Sequence, residues 1–268
     1  MFKKIFKKSF GKDNFCILLT ATIDPNNCIF TKRSDPKVRE QDYLQSLELW
    51  LINTNLKIVF CENSGYNLKN IISLASKYPG RVEIVKFNGN NYPRNLGKGY
   101  GEMKIIERAL SESKFIQESE CIIKVTGRIF IKNIYKIIKT IRSNTFIQYR
   151  FEPGVYSLQT VIFFFKKDFF WYLKKYAELI DDAKGLSFEG VFKIAMNDAR
   201  IDKNKCEKMI KPIYVGYSGT NDMKYEDIFK TSRRFLILDG KIGRMGLFIK
   251  KHSPILYNLF KPYFPDKK

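Results

Sequence analysis

Four short polar clusters in this sequence contain residue types that bind small polar ligands: Thr20-Ala21-Thr22, Glu62-Asn63-Ser64-Gly65, Gly97 to Glu102 and Thr126-Gly127-Arg128. Glycines in the third cluster allow backbone N–H groups to approach a phosphate, and Lys98 adds a mobile positive charge. The run matches neither the GxxxxGKS/T phosphate loop nor the GxGxxG fingerprint, and a tight strand-to-helix turn without a ligand explains it equally well. The four clusters predict a polar cleft if the fold brings them together.

An alternation of strands and helices is the arrangement that would do so. Apolar runs predict strands at residues 17–23, 56–61, 82–87 and 121–125, and amphipathic segments between them predict helices. Asp35-Pro36 is a preferred helix start, and Asn133 can cap the helix that follows it. This order predicts a mostly parallel sheet with helices on both faces, in which ligands bind at the carboxyl ends of the strands.

The second half of the chain is less regular but adds to the same domain. It predicts strands at residues 156–165 and 213–217 and helices at residues 168–180 and 188–197. We expect one α/β domain at residues 13–240, with 13–150 forming one half of the cleft and 151–240 the other. Basic tails, residues 1–12 and 241–268, flank this domain.

Composition excludes several classes of protein. With 268 residues, 44% of them apolar, the chain is long enough to bury a large core without disulfides or a structural metal. Five cysteines, odd in number and without CxxC spacing, favour a reduced cytosolic setting. The single histidine, His252, would have to serve any Ser-His-Asp triad, HExxH site or histidine-rich zinc site.

The net charge of +21 is concentrated at the two tails. Residues 1–12 hold five lysines and no acid, and residues 241–268 hold seven basic residues and one acid, Asp266. Aromatic residues interleave with these lysines, a pattern that favours an anionic membrane surface, although solvated tails are the alternative. The sequence shows neither a bilayer-spanning segment nor a secretory signal, so we expect a cytoplasmic protein that lies peripherally on the inner face of the cell membrane.

A series of motifs resembles a known family. In order they are LLTATI, Asp35-Pro36 with Arg39 and Asp42-Tyr43, FCENSG, GKGYGE, KVTGR and SGT, across about residues 15 to 225. They resemble bacterial glycosyltransferases that build O-antigen, capsule and related surface polysaccharides. The resemblance implies a single-domain GT-A-like fold that transfers a sugar, with UDP-galactose or UDP-glucose as the expected donor, to a lipid-linked glycan. In that case residues 13–150 bind the nucleotide-sugar and residues 151–240 form the acceptor side.

The resemblance also implies roles for individual residues. The donor-binding set is Thr20, Thr22, Glu62, Asn63, Ser64, Lys98, Gly99, Glu102, Lys124, Thr126 and Gly127. Ser218, Gly219 and Thr220 would bind the diphosphate or an acceptor phosphate, unless they form a simple turn.

One departure from the family pattern affects the mechanism. Most GT-A enzymes have an Asp-x-Asp metal site where this chain has Thr126-Gly127-Arg128. Positive charge is still needed as the nucleoside diphosphate leaves, and Arg128 can supply it through a bidentate guanidinium–phosphate pair. The sequence therefore predicts transfer with no metal and no cofactor beyond the nucleotide-sugar substrate. Pairing of Arg128 with Glu102 or Glu152 is an equally weighted alternative.

An inverting reaction also needs a base for the acceptor hydroxyl. Glu189 occupies a position like that of the acidic residue in inverting GT-A enzymes, and Asp181 and Asp182 are the substitutes. The simpler interpretation makes Ser187 a helix N-cap and Glu189 an acid that favours the helix dipole.

Two other classes of function compete with this one. The excess of basic residues is compatible with nucleic-acid binding, but no RRM, KH, zinc-finger or helix-turn-helix pattern is present, and we expect no nucleic-acid partner. A non-catalytic membrane adaptor would explain the tails but not the polar clusters.

Overall fold

The computed structural model describes residues 14–26, 28–152 and 157–225, so both predicted tails lie outside the described residues. The strands are β1 (Phe15–Ala21), β2 (Lys57–Glu62), β3 (Val82–Lys86), β4 (Cys121–Thr126), β5 (Ile129–Ile131), β6 (Thr145–Glu152), β7 (Ser157–Lys166), β8 (Lys205–Lys208) and β9 (Tyr214–Gly216). The helices are α1 (Pro36–Asn53), α2 (Lys69–Ser76), α3 (Gly97–Glu112), α4 (Lys114–Glu118), α5 (Ile134–Ile138), α6 (Phe169–Lys175) and α7 (Phe188–Ile201).

Seven of these strands form the central sheet, in the order β3-β2-β1-β4-β7-β6-β8. Neighbours pair in parallel except β7, which is antiparallel to both β4 and β6. Thr20 on β1 lies opposite Thr126 on β4, so two of the polar clusters are neighbours at one edge of the sheet. The predicted α/β fold with a mostly parallel central sheet is confirmed.

Helices cover both faces of this sheet because its strands are apolar on both sides. On one face α1, α2 and α5 pack on Ile17, Leu19 and Phe60. On the other face α3, α4, α6 and α7 pack on neighbouring side chains of the same strands, such as Leu18 and Val59. Alternation along each strand therefore gives the domain two cores that share one sheet.

Local signals set the ends of some helices and not others. Asp35 caps α1 as predicted, and its carboxylate accepts from the backbone N–H of Lys37 at 2.8 Å. The predicted Asn133 cap is wrong, because its side chain binds the backbone of Lys211 and Ile213 instead. In α2 the apolar spacing of Leu68, Ile71 and Ile72 predicts that all three face the core, yet Ile72 is 53% exposed.

Three other features of local structure differ from what the sequence indicated. The glycine run at residues 97–102 is not a turn before a helix, because it forms the first turns of α3. The predicted last strand is the shorter β9, which pairs with β5 in a separate two-stranded ribbon. The sequence also missed β8, whose polar residues KCEK carry no strand pattern. Within the described residues, no helix has both the length and the apolar character needed to cross a bilayer.

Candidate active site

A cleft of about 600 Å³ opens where β1 and β4 end. Predicted residues that line it are Thr20, Thr22, Lys98, Gly99, Glu102, Thr126, Arg128, Glu189, Ser218, Gly219 and Thr220. The fold thus brings together positions that are up to two hundred residues apart in sequence, as an α/β sheet does at the carboxyl ends of its strands.

Arg128 forms one wall of the cleft. Its side chain is buried, and Nη1 donates to the carbonyl of Tyr217 at 2.7 Å. Among the residues that the structure describes, its buried Nε has no hydrogen-bond partner, and no carboxylate pairs with the guanidinium. Glu102, one of the two predicted partners, pairs with Lys124 instead. The side chain of Glu152, the other, is not described.

Arg39 lies beside Arg128 and has a structural role. Its Nε donates to the carbonyl of Thr22 at 2.9 Å, and Nη1 donates to the carbonyl of Arg33 at 2.9 Å. Burial lowers the pKa of Arg39, and the nearby charge of Arg128 acts in the same direction. Arg39 therefore holds the loop after β1 and adds positive potential to the cleft.

The loop with Ser218, Gly219 and Thr220 folds back over the cleft rather than forming a remote turn. Lys98 Nζ donates to Thr220 Oγ1 across the cleft. A Cβ at Gly219 would lie 2.6 Å from Nη2 of Arg128, so the loop lies directly against the guanidinium.

Arg33 anchors this loop to the start of α1. Its guanidinium binds Asp42 at 2.6 Å and Asp222 at 2.6 Å, and its backbone N–H donates to the carbonyl of Gly219 at 3.1 Å. These contacts hold the loop against the start of α1.

Acidic residues form the opposite wall. Glu189, in the first turn of α7, accepts from Thr160 Oγ1 at 2.7 Å and faces the cleft. Ser187 occupies the N-cap position of α7, but its side chain makes no capping hydrogen bond. Of the two substitute acids, Asp182 lines the cleft, whereas Asp181 accepts from Asn95 and Lys184 outside it.

Asp182 changes the interpretation of the glycine run. Burial raises the pKa of its carboxyl, while Lys98 and the backbone N–H groups of Gly99 and Lys98 oppose that shift. A Cβ at Gly97 would overlap this carboxyl group. The amides predicted to bind a phosphate thus face a carboxyl of the same chain, which would repel a diphosphate when ionised.

Lys124 and Glu102 form an ion pair under the floor of the cleft. Lys124 is fully buried, contacts Glu102 Oε1, and donates to the carbonyl of Thr160 at 2.6 Å. Glu102 also accepts from Thr20 Oγ1 at 3.1 Å. Lys124 therefore supports the site from below and does not line the cleft, contrary to the direct contact expected from the sequence.

Four other predicted residues also lie behind the cleft: Glu62, Asn63, Ser64 and Gly127. Glu62 accepts from the backbone N–H groups of Ile23 and Ser64, and Asn63 accepts from Thr22 Oγ1 at 2.6 Å. Gly127 packs against the carbonyl of Thr20, where a Cβ would lie 2.8 Å away. These residues shape the loops that line the cleft. Their sequence signal is a polar residue after a strand. This signal does not distinguish residues that line the cleft from residues that support its loops from behind.

Sequence reasoning assigned no role to Thr160 or Phe30. Thr160 lies in β7 beside a run of phenylalanines, and a polar residue in such a strand was a usable signal. Phe30 lies at the rim of the cleft, is 61% exposed and has φ of 58°. A bulky residue in the left-handed region is uncommon and costs strain, and no local sequence signal indicates it.

Within the described part of the chain, no group of three His, Cys, Asp or Glu side chains is placed to hold a metal ion.

No known family model and no curated protein sequence matches this chain. Solved structures with a partly similar chain path include a glycosyltransferase involved in glycosylation of the major capsid of PBCV-1, at 12% identity and a TM-score of 0.44 over 72% of this chain and 80% of that one. The galactosyltransferase LgtC, in complex with donor and acceptor sugar analogs, has 10% identity and a TM-score of 0.43 over 72% of each chain. A cytidylyltransferase from Leptospira borgpetersenii has 12% identity and a TM-score of 0.43 over 82% of this chain and 94% of that one. These structures have different activities, so the function proposed below rests on the cleft itself.

Proposed function

We propose that this protein is a GT-A-like glycosyltransferase that moves a hexose from a UDP-sugar to a lipid-linked glycan, without a divalent metal. Bacterial surface polysaccharide synthesis at the cytosolic face of the membrane is the setting that the motif series and the basic tails support. UDP-galactose and UDP-glucose are the donors to try first.

One observation carries the proposal: a buried guanidinium without a carboxylate partner among the described residues faces a polar cleft at the ends of parallel strands. Burying a charge is costly unless it is paired, so an unpaired Arg128 is suited to an anionic ligand. A diphosphate is an anionic ligand of the kind that a guanidinium binds, and Lys98 and the loop at Ser218–Thr220 lie beside Arg128.

Arg128 and Glu189, on the two walls of the cleft, have different roles in the proposed reaction. As the bond between the anomeric carbon and the diphosphate oxygen breaks, that oxygen keeps the electron pair, and Arg128 stabilises the charge that develops there. Glu189, held by Thr160, accepts the proton of the acceptor hydroxyl, and the oxygen of that hydroxyl bonds to the anomeric carbon. This assignment applies to an inverting reaction.

The rim of the cleft supplies a surface for the nucleobase. Phe30 exposes an aromatic ring at the rim of the cleft, and a base can stack on it. Stacking is tolerant of base identity, so this contact favours a nucleotide without selecting uracil.

Calorimetric titration with UDP tests the proposal. We expect Arg128→Ala to weaken UDP binding by about 10- to 100-fold, because hydrogen bonds to charged groups contribute roughly 1.5–3 kcal/mol. Arg142→Ala is the matched control, since that arginine is 52% exposed and outside the cleft, and we expect its affinity to match the wild type.

Three results would contradict the proposal. Tighter binding of an oligonucleotide than of UDP or CMP would favour a nucleic-acid-binding protein. Turnover of UDP-hexose that a chelator abolishes and magnesium or manganese restores would contradict metal independence. Equal UDP affinity for wild type and Arg128→Ala would remove Arg128 from the site.

A further inference from the structure

A long stretch of the folded domain lacks acidic residues. Residues 121–151 include no Asp or Glu, while their basic residues are Lys124, Arg128, Lys132, Lys136, Lys139, Arg142 and Arg150. The first two of these serve the cleft from inside. Lys132, Lys136 and Lys139 are exposed.

Two exposed isoleucines join these lysines. Ile210 is 40% exposed and Ile213 is 50% exposed. Ile213 accepts through its carbonyl from the backbone N–H of Lys132 at 2.9 Å, and Asn133 ties down Lys211 and Ile213. We call the exposed residues Lys132, Lys136, Ile210, Lys211 and Ile213 the basic-apolar patch.

The chemistry of this patch fits an anionic lipid bilayer. Lysines near the headgroups each contribute roughly 1 kcal/mol on an anionic surface, and apolar side chains among them enter the boundary with the acyl chains. A nucleic acid would favour arginine forks and stacking aromatic rings, and the basic-apolar patch has neither.

The patch is connected to the cleft by one structural element. Ile131 on β5 pairs with Tyr214 on β9, and at the other end of this ribbon Ile129 pairs with Gly216, next to Arg128 and the loop at Ser218. Three residues of strand span about 10 Å. A bilayer bound at the patch would therefore be held close to the open cleft.

We propose that the basic-apolar patch docks the folded domain on an anionic bilayer, independently of the two tails. The inference deepens the membrane-side setting of the proposed function. Its test does not use catalysis or nucleotide binding, so the two can fail separately.

Co-sedimentation of the full chain with vesicles tests the docking. The patch variant is Lys132→Gln with Lys136→Gln and Ile213→Ser. The control is Lys69→Gln with Lys77→Gln and Ile72→Ser, which removes the same residue types from exposed positions at α2. On phosphatidylcholine vesicles with phosphatidylglycerol we expect the patch variant to bind roughly 30-fold more weakly from its two lysines alone, and the control to bind as the wild type does. Equal losses in the two variants would overturn the proposal.

A fluorescence measurement locates the bound face. In the Trp171→Phe, Ile213→Trp variant, the remaining native Trp50 is fully buried, so a bilayer contact is reported by the new side chain. Brominated lipids in the anionic vesicles should quench its emission, and vesicles of phosphatidylcholine alone should not. Absence of quenching in the vesicle-bound protein would show that the tails alone hold it there.

Quenching of Trp171 in the wild type would place the bilayer on α6. Tighter binding to an oligonucleotide than to the vesicles would also overturn the proposal.

Discussion

Lys124 shows how much one residue can do without touching a ligand. Its Nζ lies 5.6 Å from the centre of the Phe163 ring, and its charge is matched by Glu102. Lys124 also donates to the carbonyl of Thr160, and the hydroxyl of that threonine donates to Glu189. One buried ammonium thus links the floor of the cleft to its acidic wall.

Replacement of Lys124 by Met keeps the size of the side chain and removes the charge. We expect a loss of about 3 kcal/mol in the free energy of unfolding, because Glu102 and the carbonyl of Thr160 lose their partner in a low-dielectric environment. Urea denaturation measures this loss.

The double variant Lys124→Met, Glu102→Gln separates charge pairing from packing. It should recover part of the lost stability, since no uncompensated carboxylate remains. A double variant that loses the sum of the two single changes would show that Lys124 and Glu102 do not interact.

At the scale of elements, glycines let α3 and α7 meet at the cleft. A Cβ at Gly99 would lie 2.8 Å from Phe188 Cβ and 3.0 Å from its backbone nitrogen. Since Phe188 begins α7, a larger residue at 99 would displace the turn that carries Glu189. Gly99 therefore allows close helix packing in addition to lining the cleft.

Gly99→Ala should therefore destabilise the protein by about 1–3 kcal/mol through overpacking and reduce sugar transfer by moving Glu189. Gly190→Ala is the matched control, because its Cβ would meet only the end of the flexible Leu186 side chain, at 2.9 Å. Alanine favours a helix there, so its stability should be unchanged or up to about 1 kcal/mol higher. Thermal unfolding measures the stability of both variants. An equal change in stability for the two would contradict close packing at Gly99.

At the scale of the whole molecule, the five thiols report on the two cores and the cleft. Burial raises the pKa of Cys16 and of Cys121 to about 12, and it also raises the pKa of Cys61. Cys28 lines the cleft and is half-buried, and burial raises its pKa as well. A raised pKa leaves less thiolate at a given pH, so the core thiols are protected by both access and charge.

We expect a thiol reagent at about pH 8 to modify Cys28 and Cys206 in the folded protein and to leave the three core cysteines intact until unfolding. Modification of Cys28 should accelerate as the pH rises and slow when UDP fills the cleft, whereas Cys206 should not respond to UDP. Peptide mass spectrometry follows each site. Core thiols that react as fast as Cys28 in the folded state would contradict the two-core arrangement.

The sequence by itself determined most of the elements and their order, because those follow from local patterns. Apolar runs predicted β1, β4 and β7, Asp35-Pro36 predicted the start of α1, and the polar residues after the strands predicted the position of a cleft. These features depend on neighbours a few residues away, which a single sequence displays.

Only the tertiary structure decided which of the predicted cations line the cleft. The sequence placed Lys124 in the donor site beside Arg128, yet Lys124 is buried against Glu102, whereas Arg128 lines the cleft and faces the loop at Ser218. The glycine run likewise had two interpretations until Asp182 was found beside it. Partners this far apart in the chain are brought together by packing of the sheet and helices, so no local pattern can reveal them.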